Sequence, residues 1–287
     1  MKRRVITTTI LILLLLTGLS VLLYPVVSDY LNSLSQSRVV AQFNEDLVRL
    51  SEKDYSAIIN AAREYNANLI NKPNRFNMSE AEFKEYLSIL DFTGRRVIGT
   101  LEIEAIKVKL PIYLGTEESI LQLGIGHLGG SSLPVGGEGT HSVLSGHRGL
   151  PSSTLLTNAD KLTIGDVFSL QILNETLVYQ INHIVIVEPD NMEYLGIEPD
   201  KDYCTLVTCT PYGINSHRLL MRGTRIFPEN GEAPATRVLR ADARRVNAVV
   251  EYVIASIPIL MILIIYTLVK NIKSKTTKST KSKGRKW

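Results

Sequence analysis

Cys209, His147 and Arg218 supply a thiol, an imidazole and a guanidinium, the three groups that acyl transfer through a thiolate requires. Cys209 closes the run Thr205-Leu206-Val207-Thr208-Cys209, and Arg218 follows nine residues later in His217-Arg218-Leu219-Leu220. His147 stands about sixty residues upstream, in Ser145-Gly146-His147-Arg148-Gly149. A free thiol is mostly protonated at neutral pH, so a neighbouring cation must favour the thiolate. An imidazole can protonate a departing amine and deprotonate an incoming one. A guanidinium can stabilise an oxyanion or hold a substrate backbone by paired hydrogen bonds. Arg222, four residues beyond Arg218, shares its face on an extended strand, and spacing alone does not separate the two.

These groups need strands to aim them. In an extended segment Thr205, Val207 and Cys209 lie on one face, with Leu206 and Thr208 on the other. If Thr210-Pro211-Tyr212-Gly213 turns the chain, the next strand brings Arg218 back beside the sulfur. Cys204 is the only other cysteine. It would sit roughly 17 Å from Cys209 on the opposite face, beyond disulfide reach, and reads as a small buried hydrophobe. The remaining histidines are His127 and His141 in Gly-rich loops, His183 within a β segment and His217 beside Arg218. They show no HxxxH or HExxH spacing, and the chain has no CxxC, so no metal or cofactor is expected. Arg148 reads as a structural neighbour of the imidazole.

Taken together, TLVTC, SGHRG and the arginine resemble the sortases, the membrane-anchored cysteine transpeptidases of Gram-positive bacteria. The wording TLVTCTPYGINSHRLLMRG is most similar to class C, the pilin-polymerising sortases. The resemblance runs from about Val97 to Phe227 and includes Gly99-Thr100-Leu101-Glu102-Ile103 and Gly136-Gly137-Glu138-Gly139-Thr140-His141. It implies a sortase-type eight-stranded β-barrel and selects Cys209, His147 and Arg218 as catalytic. It also implies an LPXTG-like sorting signal as substrate and a pilin Lys amine as acceptor. A housekeeping-type sortase that anchors surface proteins to peptidoglycan is the nearest alternative; a non-catalytic membrane scaffold for pilus assembly is another. Many class C sortases carry an Asp-Pro-aromatic lid over the groove. Here Asn71-Lys72-Pro73-Asn74-Arg75-Phe76 puts Lys72 at the acid and Asn74 at the aromatic, so an open segment is expected over 71–77, with Phe76 as an alternative, displaced anchor.

Val5 to Val27 is uncharged and apolar, long enough to cross a bilayer, and Tyr252 to Val269 offers a second span with Pro258 as a kink. No clean small-x-small site near Tyr24 to Asp29 supports a cleaved signal peptide, which favours a retained anchor. Lys2, Arg3 and Arg4 precede the first span, and eight Lys and Arg residues follow the second, so both ends should be cytoplasmic and the middle extracellular. The formal charge of +4 hides this division. Eleven of the 32 basic residues lie in the two ends, which leaves 21 against 28 acidic residues and an intervening charge of about −7. Nucleic-acid binding is not indicated.

The expected organisation is therefore a basic end (1–4), an anchor (5–27), a helical region (28–96), a catalytic barrel (97–227), a linker (228–251), a second span (252–269) and a basic tail (270–287). Helical spacing runs from Val40 through Leu69 and must stop before Pro73. Ser79-Glu80-Ala81-Glu82 reads as a capping box. Strand signals occur at 97–103, 108–112, 141–145, 167–173, 177–187, 203–208 and 218–226, with a hairpin at Asn174-Glu175. Short helices are expected at 117–123 and 152–158.

Overall fold

Short, β-rich segments joined by glycine-rich turns can remove their free edges by closing on themselves. In the computed structural model, which describes residues 2–228 and Ser256, they do so. The strands are β1 (Val97–Ile103), β2 (Val108–Leu114), β3 (Ile125–His127), β4 (Thr140–Ser145), β5 (Val167–Ile172), β6 (Glu175–Val187), β7 (Asp202–Thr210) and β8 (His217–Ile226). Around the barrel they run β1-β2-β3-β4-β7-β8-β6-β5 and back to β1. Pairing is antiparallel except for β2 with β3 and β4 with β7. Large apolar side chains such as Leu101, Ile103, Leu144, Leu170, Leu206 and Met221 are wholly buried, as the filled interior of an eight-stranded barrel requires.

The expected strands are present, and β3 is the addition. It is three residues long, too short for an alternating pattern, and is defined by pairing in parallel with β2. The hairpin turn falls one residue earlier than expected, on Leu173 and Asn174, because Ile172 pairs with Glu175. The first short helix forms as α4 (Glu118–Leu121, counting from the N-terminal helices below). The second does not. Residues 152–158 form turns, since Leu155 takes a left-handed φ of 35° that no α-helix accepts, and only a 3-10 turn at Ala159–Lys161 follows.

Three helices precede the barrel: α1 (Lys2–Val48), α2 (Glu52–Leu69) and α3 (Glu80–Ile89). Backbone contacts divide the chain at Ser28 and Asp29, within α1. On the N-terminal side Leu11, Leu13, Leu14 and Leu16 are all exposed. The helix from Ile6 to Val48 is long and apolar enough to cross a membrane, with a mean hydropathy of 2.6 in its most apolar stretch. It continues through Pro25, so the expected anchor and the start of the expected helical region form one helix. Most of the expected linker, the second span 252–269 and the basic tail 270–287 lie outside the described residues.

On the other side of the division α1 packs against the barrel through Phe43 and Leu47. Its Gln36 donates to Leu123 O at 3.2 Å and Asn32 to Ser152 O at 2.8 Å. α2 is capped by Ser51, whose hydroxyl accepts from Asp54 N, and ends at Leu69, short of Pro73 as expected. Its buried Asn66 clamps one backbone residue, donating to Leu133 O at 2.9 Å and accepting from Leu133 N at 2.7 Å. The capping box opens α3 as expected, Ser79 accepting from Glu82 N while Glu82 accepts from Ser79 N.

α3 is bolted to the barrel by Tyr86, which is fully buried. Its hydroxyl donates to His127 O at 2.9 Å, accepts from Gly115 N at 3.0 Å and lies 2.9 Å from His127 Nδ1. Tyr86→Phe keeps the ring and strands the buried His127 Nδ1, whose partner among the described residues is this hydroxyl, while Gly115 N still reaches His127 O at 3.1 Å. It is expected to cost about 1–3 kcal/mol, read as a lower denaturation midpoint of the full-length chain in detergent.

Candidate active site

Strand register assembles the site. β7 is flanked by β4 on one side and β8 on the other. Across the antiparallel pair, Cys209 is opposite Arg218 and Val207 opposite Leu220. Directly opposed residues share a face, so the thiol and the guanidinium project together. Across the parallel pair, Ser145 is level with Val207. The contact continues past the strand end, where Gly146 N donates to Val207 O at 3.0 Å and Thr208 Oγ1 donates to Gly146 O at 2.8 Å. His147, the next residue, thus lies just past the end of β4 at the level of Cys209, the residue before the last of β7. The expected turn is present, with Ile214 N and Asn215 N both donating to Pro211 O.

Gly146 permits this approach. A Cβ there would meet Ile125 Cδ1 at 2.6 Å and Leu156 Cδ1 at 2.9 Å. Gly149 has a φ of 79° and lies under the Tyr212 ring, so it needs the left-handed freedom of glycine. Between them Arg148 is buried. It pairs with Asp160 at 2.7 Å and donates to Thr157 O at 3.2 Å and Thr210 Oγ1 at 3.3 Å. Its place is structural, as the sequence suggested.

The two arginines that spacing left equivalent separate here. Arg222 is opposite Thr205, four residues along β7 from Cys209. It stacks on Tyr203, with its guanidinium carbon 4.4 Å from the ring centroid, and lies 3.6 Å from Glu198. Arg218 faces Cys209 instead and donates from Nη1 to Asn215 O and His217 O.

The other histidines are occupied elsewhere. His127 and His141 sit within β3 and β4 rather than in loops, both fully buried. His127 Nε2 is 2.8 Å from Ser132 O; His141 Nδ1 is 2.7 Å from Gly196 O, with its Nε2 2.7 Å from Thr205 Oγ1. Desolvation pushes both pKa values down to about 4, so they remain neutral struts at neutral pH. His183 stacks on Tyr194 and His217 pairs with Glu188 at 3.2 Å. His147 also meets a carboxylate: its Nε2 is 3.1 and 3.2 Å from the two oxygens of Glu118 on α4. Nothing in the sequence linked these residues, which are 29 positions apart.

The two cysteines differ as the alternation required. Both are free; Cys204 is fully buried, and burial followed by the nearby Asp202 charge pushes its thiol well up, whereas Cys209 is partly exposed.

The barrel, the strand register and the residues now coincide with a known family. The Sortase domain family matches residues 101–226. Sortase C1 from Streptococcus agalactiae superposes with a TM-score of 0.65 at 47% identity, over 67% of this chain and all of that one. The chain belongs to the sortase family. Streptococcus pneumoniae sortase C aligns at 42% identity with a TM-score of 0.60, over 69% of this chain and 99% of its own. Clostridium perfringens sortase C, solved with the C-terminal cell wall sorting motif, aligns at 42% with a TM-score of 0.57, over 67% of this chain and all of its own. Among curated relatives, sortase D of Bacillus subtilis is 32% identical over 131 residues, 45% of this chain and 63% of that protein. This sortase thus matches less than two thirds of that relative's length.

A shallow groove of about 120 Å³ adjoins the site on the outer barrel face of this sortase. Arg218, Val207, Leu220, Val143, Val187 and Leu195 are among its walls. The segment expected to be open lies against this same surface. Phe76 packs on the cluster of Val143, Val187, Leu195 and Leu220, and Arg75 Nη2 donates to Leu195 O at 2.5 Å. Lys72 is not aimed at His147 and Arg218, because Glu82 takes its ammonium at 2.5 Å. The expected open segment is therefore not what forms: the alternative anchor, Phe76, is seated on the apolar cluster that lines the groove.

Exposing about 60 Å² of aromatic surface costs about 1.4 kcal/mol, a tenfold change in an opening equilibrium. Phe76→Ala should therefore raise the rate at which a bulky methanethiosulfonate modifies Cys209 by about tenfold, measured by mass spectrometry. Cys204 should stay unmodified until the barrel unfolds.

Proposed function

We propose that this sortase is a membrane-anchored cysteine transpeptidase of the class C, pilin-joining kind, with Cys209, His147 and Arg218 as its catalytic residues. The observation that carries the reading is the pairing of Cys209 opposite Arg218 across β7 and β8, with His147 two residues past Ser145, the end of β4, which is level with Val207. The Cys209 thiolate attacks the Thr carbonyl carbon of an LPXTG-like signal. Arg218 stabilises the oxygen that becomes negative. As the C–N bond to Gly breaks, His147 gives its proton to the leaving amine and a thioester remains. A pilin Lys amine then attacks the thioester carbon and loses a proton to His147. The C–S bond breaks, the thiolate is restored and an isopeptide bond is formed.

The relatives support the substrate class. The Clostridium perfringens structure holds a cell wall sorting motif, and the Streptococcus pneumoniae structure is described in terms of pilin substrate specificity. The apolar part of α1 supports a membrane anchor, with the barrel on the extracellular side by the distribution of charge. Segment 71–77 acts as a lid that substrate must displace, a role supported by the contact of Phe76 with the groove residues.

Mass spectrometry of products formed from sorting peptides, with Lys-bearing pilin or a peptidoglycan-type amine as acceptor, tests this reading. Cys209→Ala should abolish both the acyl-enzyme and the joined product, while Cys204→Ala keeps most activity. His147→Ala and Arg218→Ala should each lose at least about 100-fold. Attachment to the peptidoglycan-type amine alone would favour wall anchoring. A large loss in Arg222→Ala with none in Arg218→Ala would overturn the role given to Arg218.

A further inference from the structure

The catalytic imidazole is held by a carboxylate that is itself held. Gln122 Nε2 donates to Glu118 Oε1 at 3.0 Å, one turn further along the helical stretch that begins at α4. Glu118 in turn receives His147 Nε2 between its two oxygens, at 3.1 and 3.2 Å. The start of α4 is tied down independently, since the preceding Glu117 pairs with Arg96 at 2.9 Å. The imidazole's own backbone is fixed as well, His147 O accepting from Leu156 N at 3.2 Å. The ring is therefore restrained from two separate parts of the fold.

We propose that Glu118 is a positioning residue for His147: its carboxylate holds the imidazole with a hydrogen on Nε2 and leaves Nδ1 as the nitrogen that exchanges protons with the reacting groups. The proposal rests on the transpeptidase reading above. The tautomer follows from hydrogen-bond chemistry, because an ionised carboxylate can only accept and Nε2 must then donate. The Gln122 hydrogen bond, followed by the charge of His147, holds the Glu118 carboxyl below its usual range, which keeps it an acceptor. A neutral imidazole has one N–H, so the lone pair lies on Nδ1. No hydrogen bond engages Nδ1 among the described residues. Other charged groups do not compete for Nε2: Arg148 is committed to Asp160, and Arg218 donates to the carbonyls of residues 215 and 217.

The contact is poorly suited to a stability role. The Glu118 side chain is 65% exposed, and exposed ion pairs add little to folding. A merely structural pair and a positioning pair therefore predict different things: the first leaves turnover unchanged, and the second lowers kcat while leaving the melting temperature and KM almost untouched.

The test uses the full-length chain in detergent, with sorting-peptide kinetics and nitrogen NMR on ring-labelled histidine, the His147 signal being assigned by its loss in His147→Gln. The wild type should show hydrogen on Nε2. Glu118→Ala should lower kcat by about tenfold, a part of the 10²- to 10⁴-fold that proton transfer typically supplies, with KM within about twofold. Glu118→Gln keeps an acceptor in place and should recover at least about threefold over Glu118→Ala. Unchanged kcat in Glu118→Ala, or Glu118→Gln no better than Glu118→Ala, overturns the proposal. So does a neutral His147 with its hydrogen on Nδ1. If the wild type turns over no sorting peptide, the transpeptidase reading fails, and the nitrogen spectrum still decides whether Glu118 sets the tautomer.

Discussion

The site depends on β7 being paired on both edges, in parallel with β4 and antiparallel with β8. Backbone hydrogen bonds of both ladders fix where β7 ends relative to its neighbours, and so fix the thiol against the imidazole and the guanidinium. A slip of one residue in either ladder would send Cys209 or its partner to the opposite face of the barrel. The interior leaves no room for such a slip, because Cys204, Leu206 and Thr208 on the inner side of β7 are all buried. Packing inside the barrel thus secures a chemical alignment outside it.

The polar and apolar parts of the outer face are arranged around that alignment. Val207 and Leu220 form the row next to Cys209 and Arg218, and with Val143, Val187 and Leu195 they make an apolar floor. Phe76 covers part of that floor and would otherwise leave it exposed to water. The helices reach this face by a rigid route. α3 is fixed through Tyr86 to β3 and to the turn after β2, and α2 through Asn66 to the backbone of Leu133. The segment between α2 and α3 is consequently held over the outer face at both of its ends.

Burial sorts the five histidines into two kinds. His127 and His141 are surrounded by protein, and the cost of desolvating a cation keeps them neutral, where they serve as hydrogen-bonded struts. His147 is at the rim, partly exposed, with an anionic neighbour at hydrogen-bond distance. The same contrast separates Cys204 from Cys209.

The sequence by itself determined the strands, because alternation is a local property, and it determined the capping box of α3 and the placement of Cys204 and Cys209 on opposite faces. It also brought the Cys209 thiol opposite Arg218, since TLVTC and the arginine nine residues on belong to one hairpin whose turn is written in Pro211 and Gly213. Tertiary structure decided what local patterns cannot carry. β3 exists only because β2 and β4 supply its hydrogen bonds, and the run 152–158 stays out of a helix because the left-handed Leu155 fits the turn there. Arg218 and Arg222 have the same parity on β8, so only their different partners across the ladder distinguish them. The seating of Phe76 and the contact between Glu118 and His147 join residues far apart in the chain. Such pairs are chosen by where the closed barrel brings its surfaces together, and no spacing in the sequence records that choice.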